Sequence, residues 1–171
     1  MTNVDLSSHR FYAKVVAVVL VVFAGTAMSH AQALLTQRAL SVEAALSVTK
    51  GALEKCNADG YRISLTILDA SGLIKVQVRG DGTGPHTLEH SRRKAYTALT
   101  FKRSSAETAK AWSSAATPPP VIENTVGAAG GIPIRAGNEV IGAIGISGAP
   151  GGEKDEACAN AGIEKIAELL K

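Results

Sequence analysis

The sequence predicts an α+β domain: an antiparallel sheet made of two hairpins, flanked by helices. Three observations predict it. Two pairs of short runs alternate apolar and polar residues at period two, and each pair is joined by a turn rich in Asp, Asn or Gly. Stretches before, between and after these runs carry apolar residues at helical spacing. Beyond residue 33 the aromatics are only Tyr61, Tyr96, Phe101 and Trp112, so the core is expected to be aliphatic.

Residues 40–57 read as the first helix. Ser41 or a neighbour can cap it, and Val42, Ala45, Leu46, Thr49, Leu53 and Cys56 form its apolar stripe. Asp59-Gly60 ends it. Residues 63–68 and 74–78 alternate, with Asp69-Ala70-Ser71-Gly72 between them, which is a hairpin. After the loop Gly80-Asp81-Gly82-Thr83-Gly84, Pro85 fits the first turn of a helix running to about Phe101. Ser104-Ser105-Ala106-Glu107 has the form of a capping box and opens a short helix through Trp112. Pro118-Pro119-Pro120 should be extended. Residues 132–135 and 140–147 make the second hairpin across Ala136-Gly137-Asn138-Glu139. Gly142 and Gly145 in its second strand call for something packed closely over them. A last helix is expected from about Glu153 to Leu170, with acids in its first turn.

Residues 1–33 read as a signal peptide. His9, Arg10 and Lys14 precede an uncharged apolar run at 15–24, and His30-Ala31-Gln32-Ala33 supplies a small-residue cleavage site. A membrane anchor is the competing reading, but the run is shorter than the roughly 20 apolar residues that span a bilayer. The expected organisation is therefore a signal peptide at 1–33 and one domain at 34–171, periplasmic or secreted, with no stable membrane span after cleavage. The remaining 138 residues carry a net charge near +2, too balanced for the basic stripe that nucleic acid requires. Cys56 and Cys158 can bridge in an oxidising compartment, or remain buried thiols. A bridge requires the helices that carry them to be neighbours.

Four ordered pieces of this chain resemble the GlcG/HbpS family. They are Ser91-Arg92-Arg93-Lys94-Ala95-Tyr96-Thr97-Ala98, Gly130-Gly131-Ile132-Pro133-Ile134, Ile141 to Gly148 (IGAIGISG), and Asp155-Glu156-Ala157-Cys158-Ala159. The resemblance runs from about Leu40 to Leu170. It implies a profilin-like domain that assembles into a homo-oligomer, and in exported members haem binding, with haem degradation or iron sequestration in some. Cytosolic members lie near glycolate-linked enzymes, so a subunit acting on a small hydroxy- or keto-acid is the alternative.

The only histidines past residue 33 are His86 and His90, four apart, which places both imidazoles on one helical face. Imidazole is a common axial ligand of haem iron. Gly84-Pro85-His86-Thr87 looks like the pattern of exported members, so His86 is the first candidate ligand and His90 the second. The competing reading is two partly exposed surface residues. A zinc-protease reading fails, because Glu89 adjoins the wrong histidine for H-E-x-x-H. Arg92, Arg93 and Lys94 could meet the two propionates of haem or another small anion, or could form a solvated face. For the hydroxy-acid alternative, Arg135 and the glycine-rich loops would hold the carboxylate. No nucleophile motif stands out, so catalysis is left open.

Overall fold

The computed structural model describes residues 36–116 and 122–171, and the folded unit within them is Arg38–Lys171. The expected signal peptide and the Pro118–Pro120 run lie outside the described residues. Among the described residues no helix is long and apolar enough to cross a membrane.

The element order is that expected from the sequence. Helix α1 (Val42–Ala58) precedes strands β1 (Ser64–Asp69) and β2 (Ile74–Arg79). Helices α2 (Thr87–Phe101) and α3 (Ser105–Ser113) follow, then β3 (Gly131–Ala136), β4 (Glu139–Ser147) and α4 (Gly152–Glu164). A short 3-10 turn, Ala167–Leu170, closes the chain. The four strands form one antiparallel sheet in the order β2-β1-β4-β3, so the first strand of one hairpin pairs with the last strand of the other.

Local chemistry explains the helix starts. Ser41 Oγ accepts from the Ala44 N–H at 3.1 Å and opens α1. The capping box at α3 is closed in both directions: Ser104 Oγ accepts from the Glu107 N–H at 3.1 Å, and the Glu107 carboxylate accepts from the Ser104 N–H at 2.9 Å.

Two expectations change in detail. The buried stripe of α1 is Ala44, Ala45, Val48, Thr49, Ala52 and Cys56, whereas Val42 and Leu46 are 49% and 52% exposed. Small residues decide this face, because α1 packs so closely on α4 that a Cβ on Gly51 would lie 3.1 Å from the Ala161 carbonyl oxygen. The last helix also stops earlier than the sequence suggests. After Glu164 the chain leaves α geometry, Ile166 turns into the core, and the Leu170 carbonyl accepts from the Gly137 N–H at 3.1 Å.

The sheet is covered on both faces. On one, Leu65, Ile67, Ile144 and Ile146 pack with Val48, Ala52, Cys56 and Ala159 of α1 and α4. The sulfurs of Cys56 and Cys158 lie 2.08 Å apart in that layer, with their Cα atoms 5.5 Å apart. On the other face α2 rests on Leu68 and Ala143 through Ala95 and Ala98. The polar half of the strand alternation also points under α2. Ser64 and Thr66 are fully buried, and their hydroxyls bond to Thr87 and Ser91 at 2.8 Å each. These pairs meet the rule that a buried polar group needs a partner. Gly145 permits the contact: a Cβ there would stand 2.0 Å from the Ser91 carbonyl oxygen and 2.5 Å from the Ala95 nitrogen. Gly142 serves a different neighbour, the Leu68 carbonyl of the adjoining strand.

Candidate functional site

Register places the site. Ser64 at the start of β1 lies opposite Ser147 at the end of β4, so Arg62 comes alongside Gly148. The first turn of α2 and the N-terminus of α4 converge on the same corner. Between them opens a cleft of about 710 Å³, whose lining includes His86, His90, Lys94, Asp155, Ser147 and Arg62. Its volume falls in the range of small-molecule sites, roughly 300–1,000 Å³.

Both histidines expected from the sequence face this cleft. The helix begins one residue later than their spacing implies, so His86 occupies the N-cap position of α2 and Pro85 lies in the preceding turn. His86 keeps right-handed helical backbone angles, and its carbonyl still accepts from the His90 N–H at 2.9 Å. The one-turn offset therefore survives, and the two ring centroids are 6.4 Å apart.

The two rings differ in environment. His86 is exposed and makes no capping bond from a position where Ser, Thr, Asp or Asn would normally make one. Its ring stands against Gly84, where a Cβ would come within 2.9 Å of Cε1. His90 is half-buried, and its Nδ1 lies 3.3 Å from Ser147 Oγ. Burial pushes the His90 imidazole below its ordinary pKa, and the Lys94 charge adds to this.

Lys94 is drawn inward. Its ammonium donates to Asp155 Oδ2 at 2.7 Å and to the Ile146 carbonyl at 3.0 Å, with the two side chains only 4% and 3% exposed. Asp155 Oδ1 accepts from the Ala149 N–H at 3.1 Å. Burial raises the Asp155 carboxyl pKa, while Lys94 acts to lower it. Gly130, at φ +122°, makes room for the pair, because a Cβ there would meet Lys94 Nζ at 2.8 Å.

Arg92 and Arg93, expected beside the iron ligand, are not brought to the cleft. Arg92 donates from Nε and Nη2 to Glu89 at 2.8 Å and from Nη2 to Asn124 at 2.7 Å, while Arg93 Nε donates to Glu89 at 2.9 Å. Their hydrogen bonds hold Glu89 down to about 2, that of Arg92 being the stronger. Arg135 lies elsewhere too and bonds to the Lys102 carbonyl, whereas the glycine-rich loops named with it do line the cleft, through Ala128, Ala129, Gly148, Gly151 and Gly152.

Three cleft residues were not picked out by the sequence as site residues. Ser147 and Asp155 enter through strand register and the packing of α4, which sequence spacing does not encode. Arg62 had a weak signal only: a cation next to the first strand.

The fold and the site can be set beside known structures. HbpS from Streptomyces reticuli, in a double-mutant crystal structure, is 33% identical with a TM-score of 0.72, covering 82% of this chain and 95% of that one. The PduOC:haem complex is 25% identical with a TM-score of 0.66, covering 76% and 96%. Klebsiella pneumoniae ORFY shares the fold at 20% identity, with a TM-score of 0.75 and coverage of 81% and 98%. No curated protein sequence matches the chain. The family model described as "Haem degrading protein HbpS-like" matches residues 40–164, and the chain belongs to that HbpS-like family.

Proposed function

We propose that this chain is an exported haem-binding protein that uses His86 as its iron ligand, with His90 as the second imidazole of the site. The observation that carries the reading is the state of these two rings. His86 lines the cleft with no structural bond to give up, and behind it burial disfavours the charged form of His90. A neutral imidazole nitrogen is the donor that haem iron takes. Nearly half of the residues lining the cleft are Gly or Ala, including Ala128, Ala129 and Gly152, so few large side chains compete with a ligand for its space. Haem, once bound, supplies the redox chemistry of its iron, so breakdown of the macrocycle in this protein would be the iron's work. The chain's residues bind, orient and admit the ligand. Export through residues 1–33 and assembly into a homo-oligomer complete the proposal and are supported by the sequence pattern and the family.

Haemin titration into the purified protein tests it. A saturable Soret shift is expected, weakened at least tenfold by His86→Ala and less by His90→Ala. A wild-type protein that gives no saturable shift overturns the reading. A shift indifferent to both substitutions removes the histidines from it.

A further inference from the structure

We infer that Arg62 selects the ligand by its carboxylates, so that the cleft takes a flat apolar molecule bearing free acid groups in preference to the same molecule with those groups masked. This rests on the haem reading and assigns the acid-binding residue that Arg92 and Arg93 do not provide. The argument begins with the charges in the cleft. Its lining holds two basic side chains besides the histidines, Arg62 and Lys94, and one carboxylate, Asp155. Lys94 is committed, since its ammonium is buried against Asp155 and the Ile146 carbonyl. The two histidines are assigned to the iron. What remains is the charge of Arg62.

Arg62 is also well placed. It stands two residues before Ser64, where the register of β1 on β4 begins, and its carbonyl packs so tightly on Gly148 that a Cβ there would lie 2.4 Å away. Its guanidinium lies over Gly82, where a Cβ would meet Nη1 at 2.6 Å. Glycine at position 82 therefore leaves the space that the guanidinium fills. Among the described residues no carboxylate pairs with it, and its side chain is exposed, so meeting an anion costs little desolvation. A guanidinium can grip a carboxylate through two parallel N–H bonds. Lys154 stands 5.3 Å over the ring of Tyr61, a lining residue, and does not itself line the cleft.

The test separates carboxylate recognition from iron ligation by using iron-free porphyrin. Protoporphyrin IX and its dimethyl ester are titrated against the purified protein and followed by porphyrin fluorescence. The wild type should bind the free acid about tenfold more tightly than the ester, the scale of one charge-assisted contact. Arg62→Ala should remove that preference and leave the ester's affinity unchanged, which also shows that the variant is folded. Arg62→Lys should keep part of the preference, and His86→Ala should keep all of it. Equal affinity of the wild type for acid and ester overturns the inference, as does an Arg62→Ala variant that weakens both alike. If haemin still gives its saturable Soret shift in those cases, only the role of Arg62 has failed. If neither haemin nor either porphyrin binds, the haem reading has failed with it.

Discussion

Glu89 accepts from two guanidinium groups on its own helix, and the consequence is a stability that depends on pH. Its carboxyl is held at about 2 in the folded protein against an ordinary 4.5. A depressed carboxyl pKa stabilises the fold above the unfolded value, and that stability is lost as pH falls from 4.5 toward 2. Glu89 is 51% exposed, so solvent screening limits the contribution to about 0.5–1 kcal/mol. Glu89→Gln should therefore lower the urea midpoint slightly at pH 7, and the two midpoints should converge as the pH approaches 2. A gap that persists unchanged at low pH would assign the effect to packing. At this scale the sequence was legible where a residue type is rare. Two histidines four apart could hardly escape notice, and both face the cleft. Arg92 and Arg93 were equally visible but met Glu89 and Asn124 instead, because pairing depends on rotamers and on a loop 32 residues away in sequence.

Helix α2 is held to its neighbours by a few specific contacts. Gly145 admits its backbone to the sheet, buried hydroxyls line the contact, and Lys94 ties it to Asp155 on α4 and to Ile146 on β4. That tie predicts a contrast between single and double substitutions. Asp155→Ala leaves a buried ammonium with a carbonyl as its sole acceptor, and breaking a buried pair in this way costs about 3–5 kcal/mol. Removing both charges together, as in Lys94→Met with Asp155→Leu, should restore most of that loss, since neither charge is left unpaired. Chemical unfolding of the three proteins measures the difference, and a double variant as unstable as the single one would contradict the account. The elements themselves were legible because strand and helix periods are local properties. The facing of α1 was not: Val42 and Leu46 fit a helical stripe, but small residues one position round the helix allow the closer approach to α4. The end of α4 was likewise set by tertiary burial of Ile166, which no local signal announces.

At the scale of the whole folded unit, Arg38–Lys171, the two ends of the chain are joined. Sheet order brings β1 beside β4, so the N-terminal and C-terminal halves share one sheet, and α1 packs on α4 across its face. That topology is why the cleft could not be assembled from spacing alone. Arg62 and Ser147 are far apart in sequence and meet only because the first strand of one hairpin pairs with the last of the other. The same closure brings Cys56 to Cys158 across 102 residues. Cross-linking so long a loop restricts the unfolded chain and stabilises the fold by about 4–5 kcal/mol in the chain-entropy model. A stability of that size is a large fraction of what a domain this small holds in total, about 5–15 kcal/mol. The protein prepared without reductant should therefore carry no reactive thiol under denaturing conditions. Reduction, or Cys56→Ala with Cys158→Ala, should lower its thermal midpoint by many degrees while leaving the far-UV spectrum of the folded state intact at low temperature. Helices α1 and α4 still bury Val48, Ala52 and Ala159 against the sheet without the bond, so the loss falls on stability before it falls on architecture. Two free thiols in the protein prepared without reductant, or a midpoint unmoved by reduction, would contradict a stabilising bond between Cys56 and Cys158.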